Sequence, residues 1–198
     1  MTPGLHDDLD RDGFVVIPRV LDEHTLGRLR QAFAGDGDTA GTQHVDIDST
    51  TPEVEAWEAL GTHLVVLELA AGLMTQPTFA AHGRNPQPGF GQQGLHADSR
   101  PRAPGDPVLA VTAIWMIDAF TEHNGATRVV PGTHVQRGAV PRRLAQPDAH
   151  HPDEVIIVGP AGSVVVLNGH VWHSGTRNTS TGPRRAAQMT AHTERTNA

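Results

Sequence analysis

Four pairs in this chain place an imidazole two residues before a carboxylate: His6 with Asp8, His44 with Asp46, His96 with Asp98, and His151 with Asp153. Imidazole and carboxylate together ligate divalent first-row metals. Residues i and i+2 project to the same side of a β-strand but about 200° apart on a helix, so such a pair chelates one ion only from a strand. With 13 His and 22 acidic residues in 198, the spacing also arises by chance, and the surroundings must discriminate. His6 and Asp8 fall in a terminus expected to be mobile, and His151 and Asp153 fall in the polar loop "AQPDAHHPDE"; both read as surface. His44 and Asp46 share an expected strand face without a third ligand nearby. His96 and Asp98, in "GLHADS", follow the Gly-rich approach "PGFGQQGL" and precede a β-rich half. A third ligand is available just after the apolar run "SVVVLN", where His170 and His173 are the candidates. Two imidazoles and one carboxylate on one side of a metal form the facial triad of non-haem Fe(II) oxygenases, which leaves positions open for other ligands.

Composition removes most other chemistry. The chain has no Cys and no Tyr, and all 15 basic residues are Arg. Thiol nucleophiles, disulfides, zinc-thiolate and iron-sulfur sites, lysine Schiff bases and tyrosyl acids are therefore excluded. A net charge of -7 argues against nucleic acid as a partner, since phosphate neutralisation needs a basic excess. No apolar run is long enough for a membrane-spanning helix, and "MTPGLHDDLDRD" is acidic where a secretion signal is basic and then apolar, so the expected compartment is the cytoplasm.

The elements that must position these residues divide into two parts. Residues 12–34 read as a strand ended by Pro18 and an amphipathic helix capped by Asp22. A Gly/Asp/Thr-rich loop follows, with a short strand at 45–47, and then a helix over 53–74 broken near Gly61. Beyond that, apolar β-branched runs at 108–117, 126–130, 154–159, 163–168 and 185–193 alternate with "HNGA", "PGTH", "GPAG" and "TSTGP". Repeated short strands with such punctuation indicate a sandwich or barrel. We expect a single domain over 1–198, helical to about residue 80 and β-rich from about 81. Asn124 and Gly125 read first as a turn, His134 as a partner of backbone, Trp115 as core or as pocket lining, and Trp172 as pointing away from a metal. Gln93 is placed to touch a cosubstrate or substrate. Arg100 and Arg102 are solvated loop charges or meet an acidic group on a substrate.

Four ordered blocks resemble the phytanoyl-CoA dioxygenase-like Fe(II)/2-oxoglutarate-dependent oxygenases. They are "DRDGFVVIPRVLDEHTLGRLR", "PGFGQQGLHADS", "AIWMIDAFTEHNGATRVVPGTH" and "GSVVVLNGHVWHSGTRNTSTGPRR". The resemblance implies a mainly β protein, with a double-stranded β-helix (jelly roll, cupin-like) core and N-terminal flanking helices. It implies Fe(II) held by His96, Asp98 and His173, with O2 and the cosubstrate 2-oxoglutarate, whose distal carboxylate falls to Arg184, eleven residues after His173. Arg185 is the alternative if the register is off by one. The family often carries a hydroxyl two residues after the distal His; here that residue is Gly175, with Ser174 one earlier as the candidate cosubstrate contact. The usual "WHqD" is "LHAD", so Leu95 and Ala97 leave a smaller frame. Related halogenases replace the carboxylate ligand by a small residue, so Asp98 implies oxygenation, hydroxylation first, of a small-molecule substrate. Two other readings stay open: a cupin-like metal-dependent isomerase or hydrolase not using 2-oxoglutarate, and a non-catalytic jelly-roll scaffold.

Overall fold

The computed structural model describes residues 4–34, 41–103 and 105–193. Its strands form two antiparallel sheets. The larger runs β1 (Phe14–Ile17), β7 (Val164–Asn168), β4 (Ala110–Met116), β9 (Ala186–His192), β3 (Phe79–Pro86), β2 (Thr42–Asp46), and the smaller runs β6 (Val155–Ile156), β5 (Thr127–Val130), β8 (Trp172–Gly175). From β4 onward the chain crosses repeatedly between the two sheets, and this produces the jelly roll. Helices α1 (Leu5–Asp12), α2 (Glu23–Gln31), α3 (Val54–Gly61) and α4 (Leu64–Ala71) belong to the N-terminal part.

Side-chain alternation assigns each strand two jobs. Along β4, Val111, Ala113 and Trp115 join a core with Leu9, Leu29, Trp57 and Leu69 of the helices. Ile114 and Met116, from the opposite face, pack with Phe120, Val129 and Val171 between the sheets. Both faces being covered, all seven residues of β4 are buried, and the strand reads as one continuous apolar run broken only by Thr112. A third cluster of Leu95, Val130, Leu144 and Trp172 lies on the outer face of the small sheet, since Val129 and Val130 must point opposite ways. Trp115 is thus core and not pocket lining: it is 0 % exposed, turned toward the helices, with its ring edge-on to His63 at 5.3 Å. Trp172 points outward as its strand position requires.

Several boundaries shift. The terminus carrying His6 and Asp8 is ordered as α1, because Leu9 is buried and Gly13, at φ 81, ends the helix where no side chain fits. A Cβ on Gly13 would lie 2.5 Å from His134 Nδ1, and that ring's Nε2 meets the Asp10 carbonyl at 3.0 Å, so His134 does bond backbone. Asp22 caps α2 by accepting from the Thr25 amide at 2.8 Å. The helix expected over 53–74 is two helices, because His63 starts the second by accepting from the Val65 amide. The short strand expected at 45–47 is β2, displaced toward the N-terminus, and the run at 154–159 is a strand only over β6, with Gly159 in an isolated bridge to Phe120. The N-terminal part is not purely helical: β1 and β2 form the two edges of the large sheet.

Candidate metal centre

The segment carrying "GLHADS" lies beside β8 as a further strand-like edge. His96 and His173 exchange reciprocal backbone hydrogen bonds of 3.0 and 2.9 Å, a directly opposed antiparallel pair. Opposed residues project to one face, and their rings stand 4.6 Å apart. Asp98, two residues on, returns to that face and brings Oδ1 to 3.6 Å from His173 Nε2. Gly94 lets the segment lie this close to the loop at 141–145, since a Cβ there would sit 1.9 Å from the Ala145 carbonyl oxygen.

Each ligand atom is prepared by a neighbour. His96 Nδ1 lies 3.1 Å from the Gly94 carbonyl, and His173 Nδ1 lies 3.0 Å from the Val171 carbonyl. A carbonyl only accepts, so both Nδ1 atoms carry the proton and both Nε2 lone pairs are left for an ion. Burial, then the neighbouring His173, hold His96 below its ordinary pKa, which keeps it neutral. The Thr112 hydroxyl donates to Asp98 Oδ2 at 2.6 Å and touches the Thr190 hydroxyl at 3.1 Å, leaving Oδ1 toward the imidazoles. One ligand atom from each of His96, Asp98 and His173 falls within 4.8 Å of the others, and among the described residues no other His/Cys/Asp/Glu group meets that condition. Two imidazoles and a carboxylate, oriented by protein and converging on one point, fit a divalent iron.

The rival histidines are otherwise engaged. His170 accepts the Leu109 amide on Nε2 and donates Nδ1 to the Arg100 carbonyl. His44 stacks on His82 at 6.4 Å on the large sheet. Asp8 pairs with Arg11, and the Asp153 amide donates to His151 Nδ1.

A narrow cavity of about 30 Å3 opens between the sheets, lined by His96, His173, Gln93, Thr127, Arg84 and Arg184 among others. Arg184 lies over the Phe120 ring at 4.3 Å and donates Nη2 to the Gly125 carbonyl, while its Nε has no partner. Burial, with Arg84 adding to it, pulls its pKa down to about 9. A buried cation without an anion is costly unless a ligand supplies one. Arg185 closes on Asp118 at 2.8 and 2.9 Å, and of the two only Arg184 lines the cavity. Gln93 Oε1 accepts from the Gly175 amide at the cavity wall. Ser174 borders the cavity, yet its hydroxyl accepts from Arg128 Nε at 2.6 Å on the face opposite His173, because adjacent strand residues alternate. The bond uses one of the hydroxyl's acceptor sites and leaves its proton. Arg102 lines a second cavity of about 240 Å3 with Leu95, His96, Ala97, His170 and Trp172, so His96 borders both cavities. Arg100 is exposed and contributes its carbonyl to His170. Arg102 thus shares a cavity wall with the ligand candidate His96, while Arg100 does not line it. Thr112, Thr127, Arg84 and Gln188 went unnoticed in the sequence; only Thr112 carried a signal, as a hydroxyl inside an apolar run.

Among known proteins, Dioxygenase trt7 of Aspergillus terreus is 34 % identical over 110 residues, covering 52 % of this chain and 36 % of the relative. Dioxygenase af480 of Aspergillus fumigatus is 29 % identical over 196 residues, 90 % of this chain and 62 % of the relative. The chain thus spans under two thirds of the length of these relatives. The crystal structure of HygX from Streptomyces hygroscopicus with nickel, 2-oxoglutarate and hygromycin B bound superposes with a TM-score of 0.79 at 17 % identity, over 98 % of this chain and 88 % of that one, which shows a shared fold. The family model of phytanoyl-CoA dioxygenase (PhyH) matches residues 9–186, which takes in all four sequence blocks and His96, Asp98, His173 and Arg184, and the chain belongs to that family.

Proposed function

We propose that this protein binds Fe(II) and 2-oxoglutarate and uses O2 to hydroxylate an unactivated C–H bond of a small metabolite, releasing succinate and CO2. The observation that carries the reading is the convergence of His96, Asp98 and His173 with both imidazole protons fixed on Nδ1. Bound there, Fe(II) supplies the redox chemistry that no side chain of this chain offers. His96, Asp98 and His173 hold the ion on one side and leave the other open. Arg184, buried and without an anion, takes the distal carboxylate of the cosubstrate, and a planar guanidinium suits that role. Gln93 fixes the cavity wall through Gly175. The two sheets exclude bulk water from the point where these groups meet. One oxygen atom of O2 enters the substrate as hydroxyl and the other enters succinate, so atoms and electrons balance with no further reductant.

The test is an anaerobic titration of metal-free protein with Fe(II) and then 2-oxoglutarate, following the visible charge-transfer band of the bidentate complex. We expect the band in the wild type, its loss in Arg184→Ala, and no tight iron in Asp98→Ala. Iron binding without the band would overturn the cosubstrate assignment in favour of an isomerase or hydrolase. Absence of iron binding would overturn the metal site itself.

A further inference from the structure

We propose that Arg84 docks an anionic group of the substrate, so that the substrate class is a small molecule carrying a carboxylate; this rests on the 2-oxoglutarate reading above. Arg84 lies on β3, opposite Ala186 of β9 in register, and lines the same cavity as His96, His173 and Arg184. Its side-chain partner is neutral: Nη1 donates to Gln188 Oε1 at 3.2 Å. None of the ion pairs among the described residues includes it. Asp46, the one acidic residue within the six strands of the large sheet, is exposed and faces His82 in register.

Arg84 and Arg184 line one cavity and repel each other, but their carboxylate neighbours differ. Asp98 is the carboxylate that acts on Arg84, whereas Asp118 is the one that acts on Arg184. The charge of Arg84 also weighs on His96, His82 and His44. Arg84 therefore neighbours both the metal ligands and the stacked His44–His82 pair, and Arg184 is the more buried of the two. Two guanidiniums and a divalent ion against the single carboxylate of Asp98 leave three positive charges around the cavity. A dianionic cosubstrate removes two of them, engaging the ion and Arg184. The remaining positive charge belongs to Arg84, on the wall of the cavity that His96 and His173 line. A guanidinium in that setting, held by one neutral amide, matches a monoanionic carboxylate.

The experiment uses wild type, Arg84→Gln, Arg84→Lys and Arg184→Gln loaded with Mn(II), which binds but does not turn over. Calorimetry measures 2-oxoglutarate affinity. 19F NMR of the 2-oxoglutarate-loaded proteins then follows small fluorinated carboxylates, fluorobenzoates among them, and the matching amides, whose lines broaden when they approach Mn(II). We expect the acids to broaden and the amides not. Arg84→Gln should weaken acid binding by about tenfold or more, the scale of one charge-assisted hydrogen bond, with partial recovery in Arg84→Lys. The affinity of Arg84→Gln for 2-oxoglutarate should stay close to wild type, while Arg184→Gln loses it. If Arg84→Gln weakens 2-oxoglutarate as much as Arg184→Gln does, Arg84 serves the cosubstrate and the proposal falls. It falls equally if acids and amides broaden alike, if neither broadens, or if Arg84→Gln binds the acids as wild type does. Should wild type itself not take up 2-oxoglutarate, the cosubstrate reading fails separately, and acid-over-amide selectivity on the Mn(II) protein alone decides the role of Arg84.

Discussion

At the scale of single residues, the site depends on which atom of each side chain is already occupied. Asp98 illustrates this, because one oxygen takes the Thr112 hydroxyl and the other is left toward the imidazoles. Thr112→Val keeps the volume and the β-branched shape but deletes the donor. Loss of such a supporting hydrogen bond costs about tenfold or more in metal affinity, so calorimetry with Zn(II) or Mn(II) should show that weakening with little change in the fold. An unchanged affinity would mean that Thr112 merely fills space. Sequence spacing nominated His96 and Asp98 but could not rank them among four pairs, since spacing says nothing of which nitrogen carries a proton. The Arg128 partner of Ser174 was hidden for the same reason: adjacency in sequence is opposition on a strand, and spacing does not say which groups meet a hydroxyl there.

At the scale of elements, the small sheet's edge is what brings Asp98 and His96 to His173. The reciprocal pair His96–His173 locks the register, and Gly94 permits the approach to Ala145. Gly94→Ala would push backbone against backbone, with no flexible side chain to yield. We expect faster hydrogen exchange at the His96 and His173 amides and at least about a tenfold loss of metal affinity, the scale on which shifted ligand support acts; protected amides in that variant would show that the loop at 141–145 adjusts freely. Asp22→Ala, by contrast, should lower stability by about 1 kcal/mol through α2 alone and leave metal binding intact. The elements differed in how legible they were for physical reasons. β4 and β7 announce themselves because both faces are buried and every residue is apolar or small. β3, "FAAHGRNP", hides because it presents Ala and Gly to the helices and His82, Arg84 and the cavity's polar lining to the other side. α1 hides because a two-turn helix that buries Leu9 needs few apolar residues. The residue with the most to say about a substrate, Arg84, lay in the strand that the pattern did not reveal.

At the scale of the molecule, the chain folds its polar chemistry between two sheets and insulates it with helices on one side. Among the described residues no helix is long and apolar enough to cross a membrane. Burying so many imidazoles makes stability depend on pH in a direction that can be worked out. His44, His63, His82, His96, His134 and His170 all lie below their ordinary pKa, with burial the leading cause in each. The unfolded chain takes up protons near pH 6.5 that the folded chain accepts only at lower pH, so unfolding binds protons and acid favours it. The full stability contribution of these groups is present above about pH 6.5 and drains away as pH falls below it. Asp22, Asp48 and Glu154 have lowered values too, but carboxylates act in a more acidic window and cannot cause a loss between pH 7.5 and 5.5. The metal-free protein should therefore melt at a lower temperature at pH 5.5 than at 7.5. Adding Mn(II) should raise the melting point at pH 7.5 and raise it less at 5.5, because protons then compete for Nε2 of His96 and His173. A melting point that stays flat over that range would show that the buried imidazoles charge without cost. Metal stabilisation independent of pH would place the ion on ligands other than these two histidines.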